Sequence, residues 1–292
     1  MKLKLSLKNL AKTGLSLLLP LFFLSCSFST VPTYLKKDSA EAIQNICQKE
    51  YNLRVKSKLV GQTLWVYIPV ENLLEKADKP EKFTEKFDVA LNEAKLKGGL
   101  LEVNYDIKAI PEVEKLQEVK YNKKLLEKIN NVMGVLRRVI FSMERTAYCP
   151  KFFCIVTADV ANGLEMREVF YYLDVKKVFY QFISITEYQH RHLQDIDIVP
   201  QAIGDMEGSH IDYRDITLAE FIAGQIKHRI KLKFQKPEVG PTADIDKEVL
   251  KIIVNTIKIY DFRDFYELRV NVTNSGKTLV LNQAAVLAKP IE

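Results

Sequence analysis

FFCIVTADVANGLEMREVFYYL, residues 152–173, is the stretch on which the fold turns. Apolar residues crowd both of its halves, and Ala161-Asn162-Gly163 interrupts them. Asn-Gly accepts positive φ at both central positions of a tight turn, so the spacing predicts a β-hairpin with strands at 152–160 and 165–173. Upstream, Val113, Leu116, Val119, Leu125, Ile129 and Val132 begin an apolar stripe that predicts one long helix, or two abutting ones, over 112–146. The order helix, strand, turn, strand recurs on both sides. A helix at 39–50, with Asp38 or Ser39 as N-cap, precedes strands at 55–60 and 64–70 around Gly61. A helix at 244–259 precedes strands at 265–272 and 278–287 around Asn274-Ser275-Gly276.

The expected fold class is α+β: antiparallel hairpins, each preceded by an amphipathic helix, with the helices packed on a sheet. Three hairpins can join into one antiparallel sheet, whereas a single hairpin is marginal in water. Leu64, Val66 and Ile68 alternate with Trp65 and Tyr67, so both faces of that strand are apolar and covering on both sides is expected. Residues 71–98 are charged and helix-prone, broken at Lys79-Pro80 and ended by Gly98-Gly99. Residues 100–107 alternate as a strand. Segments 175–189 and 216–235 are expected helices, the latter capped by Asp215 or Thr217. Residues 190–216 are polar and irregular, and 236–243 form a Pro/Gly linker. The chain divides into 38–123 as a first α+β unit, 124–236 as a second with the polar loop 190–216, and 237–292 as a C-terminal helix and hairpin. The alternative is one domain over 38–292.

The first 37 residues are different in kind. Lys2, Lys4, Lys8 and Lys12 form a positive segment without acids, and 14–24 is an uncharged apolar run. That run is too short for a membrane-spanning helix, which needs about 20 apolar residues. It ends at Leu24-Ser25-Cys26. These residues resemble a bacterial lipoprotein signal with its lipobox, with Phe23 where Leu is usual. The resemblance implies cleavage between Ser25 and Cys26, and lipidation of the Cys26 thiol with a diacylglyceryl group. Residues 1–25 are then a signal peptide and 26–37 a tether. Two acyl chains hold a protein stably where one binds marginally. The implied place is the periplasmic side of a membrane, and Ser27 after the cysteine resembles sorting to the outer rather than the inner one. Removing 1–25, with four lysines and no acid, lowers the formal charge from +6 to +2. No basic stripe of the kind a nucleic-acid binder needs is required by that balance, so nucleic acid is not an expected partner.

Among the other cysteines, Cys149 and Cys154 can close a short disulfide in an oxidising compartment or pack as two thiols. Cys47 fits a buried helical position. All four histidines lie between 190 and 228. His190 and His192, two apart, would share a face of a strand, and with Asp195 or His210 could ligate Zn²⁺. The same stretch also reads as a solvated polar loop. Signatures for nucleophilic catalysis and phosphate cradling are absent, so an enzyme is the less expected class. The helix at 221–236 carries Lys227, Arg229, Lys231 and Lys233 beside the apolar row Ile222, Ile226, Ile230 and Phe234. That pattern fits a solvated face over a core stripe better than a lipid-contacting surface. Phe170-Tyr171-Tyr172 and Phe179-Tyr180 are expected in the core rather than in a carbohydrate platform. The leading functional expectation is a lipid-anchored binding or assembly protein of the bacterial envelope. A binder of a small or lipidic ligand is the first alternative, and a metal-dependent hydrolase built on 190–215 the second.

Overall fold

The computed structural model describes residues 38–142, 149–235 and 239–290. The signal peptide, the tether and Cys26 lie outside the described residues. Among the described residues, two mixed sheets and seven α-helices make an α+β fold. The first sheet contains β1 (Lys56–Val60), β2 (Thr63–Val70), β5 (Phe152–Asp159), β6 (Leu164–Tyr171) and β7 (Leu193–Ile198), in that spatial order. The second contains β3 (Leu74–Lys97), β4 (Leu100–Tyr121), β8 (Glu267–Val272) and β9 (Lys277–Asn282).

The three turns at Gly61, Gly163 and Gly276 all form, each glycine at positive φ. The hairpins do not join into one antiparallel sheet. In both sheets the second strand of one hairpin runs parallel to the first strand of another, β2 with β5 and β4 with β8. Segments 38–123 and 124–236 therefore share the first sheet. Parallel neighbours need covered faces, and β2 and β5 are buried on both. Leu64, Val66, Phe153 and Ile155 pack under α1 (Ser39–Tyr51) and α2 (Lys123–Ser142). Trp65, Tyr67, Phe152 and Val156 face α5 (Leu218–Gln235), α6 (Ile245–Ile259) and the second sheet. The α5 row Ile222, Ile226, Ile230 and Phe234 is wholly buried.

The largest departure from the sequence reading is the long hairpin β3–β4. Residues 71–98 and 112–146 are expected helical, yet Leu74–Lys97 and the chain up to Tyr121 are strand. A spacing of three places Val113, Leu116 and Val119 alternately on the two faces of a ribbon, and all three stay exposed. They cover nothing, so they are no part of a helical core stripe, which starts only at Leu125. The turn at Gly98-Gly99 needs φ of +56° and +80°, and a Cβ on Gly99 would strike the Tyr266 ring. Pro80 and Pro111 fall where the pairing register slips, positions that ask no ladder hydrogen bond of them.

Smaller differences have local causes. The expected helix 175–189 is two, α3 (Tyr172–Phe179) and α4 (Ile185–Gln189), parted at Gln181 with φ +61°. The polar stretch 190–216 contains the edge strand β7. The last strand stops at Asn282, whose side chain caps α7 (Gln283–Ala288) by accepting from the Ala285 N–H. Thr217 is the cap of α5, exchanging hydrogen bonds with Glu220. Asp215 instead accepts from the Gln62 N–H and the Thr63 hydroxyl, tying the loop before α5 to β2. Cys149 and Cys154 form no disulfide. Cys154 is buried in β5 on the α5 side, while Cys149 packs against the cluster beneath α1 and α2. The sheet lies between them, and burial pushes the Cys154 thiol up to about 12.

Candidate ligand-binding groove

β6 carries charged residues into both covered faces of the first sheet, because successive side chains point opposite ways. Glu165 and Arg167 face the loop that runs from β7 to α5. Glu168 faces α2 and the α3–α4 segment.

On the first of these faces the charged groups form a connected set. The His210 ring stands between two carboxylates, with Nδ1 2.6 Å from Asp205 and Nε2 2.9 Å from Glu165. Glu165 also accepts from Arg167 at 2.9 Å. Asp205 accepts the backbone N–H groups of Glu207, Gly208 and His210 as well. Burial works against charge on both groups, but the surrounding hydrogen bonds overcome it. The Asp205 carboxyl falls to about 2, and the His210 imidazole is raised above its ordinary value. Gly208, at φ +71°, lies against Tyr67 and Tyr213 where a Cβ has no room. This cluster fastens the loop to the sheet. Both carboxylates and both ring nitrogens of His210 in it are already engaged.

The other face holds an open groove of 1120 Å³. Ile129 and Met133 of α2 form one wall, the segment from Val175 to Ile185 forms the other, and Glu168, Phe170 and His192 line the floor. Its rim is apolar and uncovered. Phe182 is 78% exposed, Ile185 70% and Phe179 50%. Phe170 stacks on both the His192 and Tyr188 rings. Glu168 is only 8% exposed, and its Oε2 has no hydrogen-bond partner. Burial alone raises its carboxyl to about 7. His192 Nε2 stands 3.8 Å from the other oxygen, but burial lowers the imidazole, so the two do not form an ion pair at neutral pH. A buried acceptor left unpaired costs about 1–3 kcal/mol. A groove of this size lies just above the usual range of roughly 300–1,000 Å³ for small-molecule sites, and its few polar groups in an apolar lining match that type.

The structure does not bring the sequence-derived metal candidates together. His210 is on the loop face and His192 in the groove. His190 lines a separate cleft with Arg229, Lys233 and Glu248 between α5 and α6. Asp195 sits on β7 opposite Arg167, exposed. The described residues contain no group of three or more His, Cys, Asp or Glu placed to hold a metal ion. Phe170 and Tyr172 are core residues as expected and Tyr171 packs against the core, but Phe179 and Tyr180 are half exposed, Phe179 at the groove. Glu168 was not singled out in the sequence. Its signal was there: an acid in a strand that must be covered on both faces. No protein-family model, curated protein or solved structure matches this chain.

Proposed function

We propose that this protein is a binding protein of the bacterial cell envelope, tethered by an acylated Cys26 to the periplasmic side of a membrane, with the outer membrane favoured, and that it holds a small or lipidic ligand in the groove over β6. The observation that carries the reading is the pairing of an uncovered apolar rim with an orphaned carboxyl on the floor beneath it. One ligand with an apolar body and a polar end would relieve both costs, covering Phe182 and Ile185 while giving Glu168 a partner. The anchor rests on the lysine-rich leader, the short apolar run and Ser25-Cys26.

An environment-sensitive naphthyl dye tests the groove. Wild-type protein should take it up with micromolar affinity, and a Phe182→Asp/Ile185→Asp pair should lose it. The reading fails if the dye ignores wild-type protein or binds both forms alike. For the anchor, the intact mass of the exported protein should show a diacylglyceryl group that a Cys26→Ala chain lacks, and the variant should leave the membrane fraction.

A further inference from the structure

Resting on that groove reading, we infer that the ligand presents an ammonium group to Glu168 and lays an apolar body along the aromatic rim. Three observations converge on a cation. The first is a carboxyl at the floor, 8% exposed, whose Oε2 has no hydrogen-bond partner. The second is that the neighbouring protein groups supply no positive charge to it. His192 is kept neutral by burial, and so is His228, whose ring lies 6.5 Å from that of His192. Arg137, the groove's one arginine, is exposed on α2 and does not offset the burial of Glu168, whose shift has burial as its sole cause. The third is the aromatic surface around the site. Phe170, Tyr188 and Phe179 line it, and aromatic rings attract ammonium ions that have left water.

The alternatives fit less well. A carboxylate-headed ligand would have to share the one proton that Glu168 keeps, and two acids at one site oppose each other's ionisation. A hydroxyl head satisfies the orphan oxygen but gains no charge-assisted hydrogen bond. An ammonium group does both, and its binding displaces the Glu168 proton to solvent.

The test uses the full protein, the naphthyl dye and a head-group series on one chain length: dodecylamine, dodecanol and dodecanoate, each below its micelle concentration or solubility limit. Dodecylamine should displace the dye at a concentration at least tenfold lower than dodecanol, with dodecanoate the weakest. Glu168→Gln should erase the advantage of the amine over the alcohol. 2-Phenylethylamine and phosphatidylethanolamine vesicles then distinguish a soluble amine from a lipid headgroup as the source. Equal displacement by amine and alcohol in wild-type protein overturns the inference without touching the groove, as does an amine preference that survives Glu168→Gln. Failure of the dye to bind wild-type protein overturns the groove and this inference together.

Discussion

Glu165 and Glu168 leave β6 three residues apart and emerge on opposite faces of the same sheet. Both are buried, at 3% and 8% exposure. Glu165 meets His210 and Arg167, and its face is a closed set of hydrogen bonds that pins a loop. Glu168 meets Phe170 and a lowered, neutral His192, and its face is an open groove. Both carboxyls are withdrawn from water. What separates them is whether the fold supplies a partner, and that difference marks one face as architecture and the other as a site awaiting a ligand.

The contrast is broken most directly by removing each carboxyl. Glu165→Ala leaves His210 Nε2 without its buried partner, while Arg167 is half exposed and His210 keeps Asp205, so the cost is that of one unpaired buried group, about 1–3 kcal/mol. Urea denaturation should show that loss with the slope of the transition unchanged. Glu168→Gln should act in the opposite direction at neutral and higher pH. The native carboxyl titrates near 7 against an ordinary value of 4.5. The native state therefore keeps a proton that the unfolded chain has already released, and stability falls as pH rises from about 4.5 to about 7, then levels off. At about 1.4 kcal/mol per pH unit across that window, the fall reaches about 3 kcal/mol. The Gln variant lacks this component, so wild-type and variant stability curves should diverge between pH 4.5 and 7. Parallel curves would mean that Glu168 is solvated or paired, and the contrast between the two faces would vanish.

How far the sequence reaches is clearest from the hairpins. Asn162-Gly163 and Gly276 announced theirs because turn chemistry is local. Residues 74–121 did not, although they form the longest hairpin in the protein. Their Lys- and Glu-rich composition favours helix, and Val113, Leu116 and Val119 are spaced as a helix would space them. The strand outcome is set by partners far along the chain: Glu267–Val272 beside β4, and α5 packed over β3. The site was hidden for the same reason. His190, His192 and Asp195 look like one cluster in a line of text, but a sheet and a helix separate them. Glu168 gains its meaning only when α2 and α4 close over it, and its covered strand was the one available clue.

Histidines offer a gentler probe of the same contrast. His210, between two carboxylates, is raised above 6.5, whereas burial lowers His192 and holds His228 near 4. Ring-proton NMR across pH 4–8 should show His210 titrating above 6.5 and His192 below it. The sign for stability follows. His210 contributes fully below pH 6.5, and its contribution fades as pH climbs through its native value. Glu165→Gln should bring the His210 midpoint down, while Glu168→Gln should leave it where it is. Movement of His210 on changing Glu168 would show that the sheet does not insulate its two faces.

The smallest effect on stability belongs to the rim, and there smallness is informative. Phe182 is 78% exposed, so Phe182→Ser removes little buried area, and substitutions of that kind stay within about 0.5 kcal/mol. A core aromatic of the first sheet such as Phe153, 2% exposed, should cost about 3–5 kcal/mol on truncation to Ala. If thermal unfolding of Phe182→Ser matches wild type while dye affinity drops severalfold, the side chain is kept for what it touches outside the protein. A large loss of stability would instead place Phe182 in the packing of the α3–α4 segment. The groove would then be a gap in that packing, and the exposed rim would lose its claim to a ligand.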